Sequence, residues 1–258
     1  MRIIFFWLVL NVSFKGFSQN LEPLKTSSTI LEKPLNVDGF NSRYGIKKNK
    51  LIKEHENLEL THFAEPLYGN PDLVDATNPL RLLLFYKEFQ IAILTDNQLN
   101  TTEKIDFKSL PNLQIKWIGM ATQNQLWFYD ELSMKLGLCQ IKTKEIKWKT
   151  APIINVKQWI NRYNYVYFYT NENVLFKINQ NGNIAELAQI KNAEQIRIIN
   201  HEMVLYLTQN KLFILNLNTK KAIELNTDSI YIEDFYVNDT ILTIFTNRKI
   251  INYKLNLL

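Results

Sequence analysis

Few residues in this chain could carry covalent or metal chemistry. Its 258 residues hold three histidines and one cysteine. Nucleophilic hydrolysis needs a serine or cysteine beside a histidine base, and no Gly-x-Ser-x-Gly elbow is present. His55 and His62 flank a predicted strand pair and His201 lies in a predicted turn. None has an acidic or cysteine partner at metal-ligand spacing. Cys139 alternates with apolar neighbours in Leu136-Gly137-Leu138-Cys139-Gln140-Ile141, the pattern of a buried small hydrophobe rather than a reactive thiol. Asn179-Gln180-Asn181-Gly182-Asn183 copies the spacing of a calcium loop but carries no carboxylate, so it reads as a hairpin turn. Seven glycines leave little for phosphate-cradling loops. The expectation is no catalytic residue, no cofactor and no metal.

Aromatic side chains are the richer signal. Trp117, Trp127, Tyr129, Trp148, Trp159, Tyr163, Tyr165, Tyr167 and Tyr169 concentrate between residues 117 and 169. Most should pack the interior, but Tyr and Trp are also enriched where proteins recognise partners. Tyr86-Lys87-Glu88-Phe89 falls at a predicted turn, where an aromatic would be partly exposed. Tyr86, Lys87, Phe89, Trp127 and Tyr129 are therefore the candidate partner-binding residues.

The elements that must hold these residues recur with a period. Strand-turn-strand units run from Arg81 to Asp96, Leu126 to Ile141, Tyr165 to Ile178, Met203 to Leu217 and Ile241 to Leu255. Their turn anchors, Lys87, Asp130, Thr170, Thr208 and Thr246, stand 43, 40, 38 and 38 residues apart. A period near forty built of short strands predicts a β-propeller. Each unit divides into four strands, as in Gln195 to Ile199, Met203 to Thr208, Lys211 to Leu217 and Ala222 to Leu225. Second strands such as Leu82-Leu83-Leu84-Phe85-Tyr86 are apolar on both faces, as strands between neighbouring blades must be. A weaker copy places strands at Leu35 to Asp38, Tyr44 to Ile46, Lys50 to Lys53 and Leu58 to Leu60. The last unit ends after its third strand, and an open sheet edge is avoided in closed β architectures. Ser28-Thr29-Ile30-Leu31-Glu32 is the predicted closing strand. The fold class is thus all-β, a six-bladed β-propeller closed by an N-terminal strand. The alternative is five blades with residues 28 to 63 as an appendage.

Residues 1–18 read as a signal peptide: Arg2, an apolar core from Ile3 to Val12, and a small-x-small site at Gly16-Phe17-Ser18. The apolar run is too short for the roughly twenty residues of a spanning helix. Residues 19–27 are expected as a linker and 28–258 as the propeller domain. With the only cysteine at position 139, a lipid anchor next to the leader is not expected, nor is an internal disulfide. Net charge falls from +5 to +3 once Arg2 and Lys15 are removed. The remaining lysines are scattered rather than gathered on one face, so nucleic acid is not an expected partner.

The stretch Leu215-Asn216-Leu217-Asn218-Thr219-Lys220-Lys221-Ala222-Ile223-Glu224-Leu225 resembles repeats of quinoprotein-type propellers, and Gln140 to Trp148 is a shorter match. Such repeats include those of the periplasmic scaffold that assists outer-membrane barrel assembly. Lys221 and Glu145 stand where those repeats usually have glycine. The chain from 28 to 258 also resembles uncharacterised exported propellers of Bacteroidetes-type bacteria, in Asn78 to Lys87 and Leu94 to Leu99. The resemblance implies a periplasmic or secreted, non-catalytic binding or scaffold module engaging an envelope protein. The alternative is a propeller hydrolase or lyase acting on glycans. It would use carboxylates, such as those of Asp130-Glu131 or Glu233-Asp234, converging near the central channel.

Overall fold

A computed structural model describes residues 18–256 apart from 111, 228, 229 and 248. The expected signal peptide lies outside the described residues except for Ser18. Described residues form β1 (Ser18–Asn20) and β2 (Glu22–Ser28), then six blades in chain order. The first blade is β3 (Lys33–Val37), β4 (Arg43–Lys47), β5 (Lys50–Glu54) and β6 (Leu60–Phe63). The second is β7 (Leu73–Asp75), β8 (Arg81–Tyr86), β9 (Ile91–Asp96) and β10 (Thr101–Asp106). The third is β11 (Ile115–Met120), β12 (Gln125–Asp130), β13 (Lys135–Gln140) and β14 (Ile146–Trp148). The fourth is β15 (Val156–Arg162), β16 (Tyr165–Thr170), β17 (Val174–Asn179) and β18 (Ile184–Gln189). The fifth is β19 (Gln195–Ile198), β20 (Met203–Thr208), β21 (Lys211–Asn216) and β22 (Ala222–Asn226). The sixth has β23 (Asp234–Asn238), β24 (Ile241–Thr246) and β25 (Lys249–Lys254), and takes β2 as its outer strand. This is the six-bladed propeller, not the five-bladed alternative.

Period-two alternation explains why the blades stack. Along β8, Leu83 and Phe85 pack toward the third blade with Ile115, Ile118 and Phe128. Leu82, Leu84 and Tyr86 pack toward the first with Tyr44, Ile46 and Leu51. β12 divides the same way, Leu126 and Phe128 to one side and Trp127 and Tyr129 to the other. Successive side chains of a strand point to opposite faces, so each middle strand feeds two wedges. Six such apolar wedges, one per blade boundary, complete the ring; the last joins Leu31 and Ile52 to Tyr236, Phe245 and Ile250.

The ring is sealed by an N-terminal strand, but not by the segment expected. Outer strand β2 pairs antiparallel with β25 from Glu22 opposite Lys254 to Ser28 opposite Lys249. Residues 19–27 are therefore mostly strand rather than linker. An outermost strand has one neighbour and a largely solvated surface, so β2 needs no apolar alternation to betray it. The Ile30-Leu31 pair that suggested a strand instead plugs the wedge between the sixth and first blades. Ahead of β2, β1 pairs in parallel with β22, so the leading segment spans the outer edges of two blades. In the first blade the outer strand begins at Leu60; Leu58, expected within it, sits in the preceding turn with φ of 68°.

Tight turns here use asparagine and lysine where glycine is usual. Lys48 and Asn49 join β4 to β5 with φ of 47° and 56°; Gln209 and Asn210 join β20 to β21 with 49° and 58°. Two consecutive left-handed residues match the twist of a two-residue hairpin, and asparagine tolerates that region best after glycine. Gly182 is a different case. Its φ is +87°, and a Cβ there would come within 2.2 Å of the Lys149 carbonyl oxygen.

Candidate functional site

The inner strands β3, β7, β11, β15, β19 and β23 line a central cavity of about 380 Å³. Polar side chains on or beside these strands reach the next blade's backbone and form a belt around it. Asn36 Nδ2 donates to the Val74 carbonyl at 2.7 Å, first blade to second. Met120 N–H donates to Asp75 Oδ2 at 2.7 Å, third to second. Gln158 binds Ile196 in both directions, at 2.8 and 2.9 Å, fourth to fifth. Arg197 Nε donates to the Phe235 carbonyl at 3.1 Å, fifth to sixth. Asn238 Nδ2 donates to the Asp38 carbonyl at 3.0 Å and joins the sixth blade to the first. Buried backbone groups left without partners are costly, so side chains supply what neighbouring strands, too far apart to pair, cannot.

At the centre of the belt, Asn161 reaches from the fourth blade across the third to the second. Its Nδ2 donates to Asp75 Oδ2 at 2.6 Å and to the Met120 carbonyl at 2.8 Å. The crossing is possible because residue 119 is glycine: a Cβ there would lie 2.7 Å from Asn161 Cγ. Asp75 Oδ1 takes the Thr77 hydroxyl at 2.5 Å and its N–H at 2.9 Å. Four donors thus hold the Asp75 carboxylate, leaving it committed to structure rather than to acid–base exchange with a substrate.

Two guanidiniums enter the same cavity. Arg197 is paired with Asp234 Oδ1 at 3.1 Å and lies 4.7 Å over the Tyr236 ring, whose hydroxyl donates to Asp234 Oδ2. Arg162 donates to the Ile198 carbonyl. Among the described residues no carboxylate forms an ion pair with it. Burial lowers its pKa from the ordinary guanidinium value, with Tyr167 and Asp75 acting in the opposite direction. Trp117 and Trp159, stacked at 5.5 Å, form part of the cavity's apolar wall. Sequence reasoning passed over these residues. The repeat does not mark them: Arg162 and Arg197 stand 35 residues apart where the units step by 38, so they occupy different places on their inner strands and no sequence signal singles them out.

Of the predicted carboxylate pairs, Asp234 borders the channel but is taken up by Arg197 and Tyr236, and Asp130-Glu131 lies away from it. Asp130 is buried at the far end of β12, where it accepts from Gln114 N–H and the Ser133 hydroxyl. The neighbouring Glu131 pairs with Lys116 at 3.0 Å. The histidines are likewise dispersed. His55 Nε2 is 3.0 Å from Thr61 Oγ1, His62 is exposed on β6, and His201 sits edge-on to the Tyr165 ring. Among the described residues no group of three or more His, Cys, Asp or Glu could hold a metal ion. Cys139 is fully buried and its thiol is pushed up to about 11 by that burial.

Of the five predicted partner-binding residues, three are closed inside the ring. Tyr86 is 1% exposed, and Trp127 and Tyr129 fasten the third blade to the fourth. Trp127 Nε1 donates to the Tyr163 carbonyl at 2.7 Å and the Tyr129 hydroxyl to the Ile153 carbonyl at 2.8 Å. A strand buried on both faces hides its aromatics whichever way they point. Lys87 and Phe89 do reach the surface, in the β8–β9 turn. Phe89 is 37% exposed and leans on Tyr68 at 5.1 Å, which in turn meets Tyr86 at 5.5 Å. Lys87, Lys108, Leu110, Leu113 and Leu132 line a groove of about 680 Å³ beside them, between the second and third blades.

This groove opens on the face that carries the second-to-third strand turns and the connections between blades. Leu67, Phe89, Leu132, Met134 and Ile154 are exposed in loops of that face. They are spread from the loop joining the first and second blades to the loop joining the third and fourth.

No protein-family model and no curated protein matches the chain. Solved structures do. A DUF4221 family member from Bacteroides vulgatus superposes with a TM-score of 0.63 at 9% identity, over 91% of this chain and 97% of that one. A catalytically inactive virginiamycin B lyase from Staphylococcus aureus, solved with quinupristin, gives 0.58 at 12% identity over 90% and 99%. PorZ of Porphyromonas gingivalis, a surface component of the type-IX secretion system, gives 0.55 at 13% identity over 87% of this chain but 32% of that longer one. At these identities the likeness shows the β-propeller fold. Among the described residues no helix is long and apolar enough to cross a membrane.

Proposed function

We propose that this chain is an exported propeller that binds a protein partner in the cell envelope, through the face carrying the β8–β9 turn. The observation that carries the reading is the exposure of Leu67, Phe89, Leu132, Met134 and Ile154 on loops of one face. Isolated exposed apolar residues are ordinary on any protein, whereas several on the loops of one face, beside a groove, suit a partner surface. The rigid blades hold these loops without an ordering cost on binding. The expected leader sequence and the fold shared with a secretion-system surface component support the envelope setting. The channel favours a binding role over the glycan-cleaving alternative, because Asp75 is saturated, Asp234 is tied to Arg197 and Tyr236, and Asp130-Glu131 lie elsewhere.

The test is affinity purification of the tagged chain from envelope extracts, with Phe89→Asp/Leu132→Asp as the comparison. A protein enriched by the parent and lost with the double variant is the expected result. An empty pull-down, or a partner list unchanged by the variant, would defeat the reading.

A further inference from the structure

We propose that the face opposite the β8–β9 turn carries a binding site for a neutral sugar, with the Phe40 ring as the platform for its apolar side. The site is a pocket of about 510 Å³ between the first and second blades, lined by residues of the β3–β4, β5–β6 and β9–β10 turns and by Pro79 ahead of β8. Phe40 lies in the β3–β4 turn and is 62% exposed. That turn is held firmly. Buried Asp38 accepts at Oδ1 from the Phe40 and Ser42 N–H groups, both at 2.9 Å, and at Oδ2 from the Tyr44 hydroxyl at 2.7 Å. Its carbonyl takes the Asn41 N–H at 3.0 Å, and Asn41 completes the turn with φ of 59°. The backbone that carries the ring is thus ordered before any ligand arrives, which removes that cost from binding. Across the pocket, Lys53 Nζ donates to the Asn97 carbonyl at 2.8 Å and pins the β9–β10 turn to the first blade.

The division of the wall selects the ligand. Phe40 and Pro79 are its apolar residues, and the others carry amide, carboxylate, hydroxyl, imidazole or ammonium groups. An apolar peptide segment would press nonpolar surface on those groups and leave them unpaired, which is costly. A pyranose has the matching division. One side of it is a patch of C–H bonds whose weak positive charge suits the negative face of an aromatic ring. Its rim is a set of hydroxyls, each both donor and acceptor, which pair with carboxamides and carboxylates. The Gln98 carboxamide and the Glu56 carboxylate are exposed, and neither has a hydrogen-bond or ion-pair partner among the described residues. Asn57 uses its Oδ1 on the Glu59 N–H at 3.1 Å, so its Nδ2 is available. The charges of Lys53 and Glu56 cancel within the pocket, which favours a neutral sugar over an acidic one. Its volume falls in the range of roughly 300–1,000 Å³ typical of small-molecule sites. The pocket lies on the other face from Phe89 and Leu132, so it stands whether or not a protein partner is found there.

The test is a glycan array bearing neutral hexose- and N-acetylhexosamine-terminated chains beside uronate- and sialate-terminated ones. It is probed with the biotinylated full chain clustered on labelled streptavidin, because clustering raises weak single-site binding to a readable level. Signal on a subset of the neutral glycans is the expected result. Phe40→Ala should lower it about ten-fold or more, the loss expected when an aromatic anchor is truncated. Phe40→Tyr keeps the ring face and should bind like the parent, whereas Phe40→Leu, apolar but not flat, should fall with alanine. Gln98→Ala, on a different turn, should weaken binding as well, so the result does not hang on one position. Phe89→Asp/Leu132→Asp should leave it unchanged. No neutral glycan bound above the Phe40→Ala level, a preference for acidic glycans, Phe40→Leu binding like Phe40→Tyr, or loss of binding with the Phe89→Asp/Leu132→Asp variant would each overturn the proposal.

Discussion

Gly119 is the residue at which one methyl group would disturb most of the channel. A Cβ there would sit 2.7 Å from Asn161 Cγ and 2.9 Å from its Nδ2, and Asn161 has no free retreat because Asp75 and Met120 hold that amide. Forcing it aside breaks both bonds and strips Asp75 of a donor in a buried setting. Gly119→Ala should cost about 1–3 kcal/mol in urea denaturation, the range for overpacking a close-packed site. In an Asn161→Ala background the same substitution should cost much less, since the obstructing amide is gone. Equal costs in the two backgrounds would show that the close contact is not the cause. Nothing in the sequence around Gly119 announces this, because Asp75 and Asn161 lie 44 residues before it and 42 after. Their meeting depends on the ring.

Strands were the legible part of this chain, and the joints between blades were not. The middle strands of each blade follow the apolar runs closely, as at Leu82 to Tyr86 and Val166 to Tyr169, because burial on both faces leaves so plain a pattern. The same burial misled the reading of Trp127 and Tyr129, whose residue types suit a partner surface but whose positions are mid-strand. Amide latches between blades were invisible, since a glutamine looks solvated until its partner is known. Gln90 is one. It donates to the Ile115 carbonyl at 2.9 Å and accepts from the Ile115 N–H at 2.7 Å, copying a strand ladder between the second and third blades. Gln90→Leu keeps the bulk but orphans two backbone groups of a fully buried residue. Each orphan costs about 1–3 kcal/mol, so a loss of several kcal/mol is expected in chemical denaturation. Hydrogen exchange at Ile115 should accelerate more than at Ile196, whose equivalent latch to Gln158 is untouched. Uniform acceleration at both would mean the latch is not local.

Across the whole molecule, closure depends on the segment that looked least like structure. β2 pairs along β25, and β1 along β22, so eleven residues from Ser18 to Ser28 tie the outer edges of the fifth and sixth blades. Most of the β2 side chains are exposed, so the stabilisation comes from backbone pairing and from denying β25 an open edge rather than from apolar burial. Leu31 then anchors the turn into the first blade, packed on Ile52, Tyr236, Phe245 and Ile250. A chain starting at Thr29 keeps that anchor and loses both strands. Its sixth blade would have three strands, with the β25 ladder facing solvent. The expected outcome is a protein that retains most of its β-sheet circular dichroism but melts lower and elutes as dimers or larger species as concentration rises. Amides of β25 should lose exchange protection, while those of β8 and β12, on the other side of the ring, keep theirs. Adding a synthetic peptide of residues 18–28 in excess should restore protection in β25, because a strand supplied in trans can make the same ladder. A truncated chain that stays monomeric, with its melting point and β25 protection unchanged, would show that the ring is held by its apolar wedges alone.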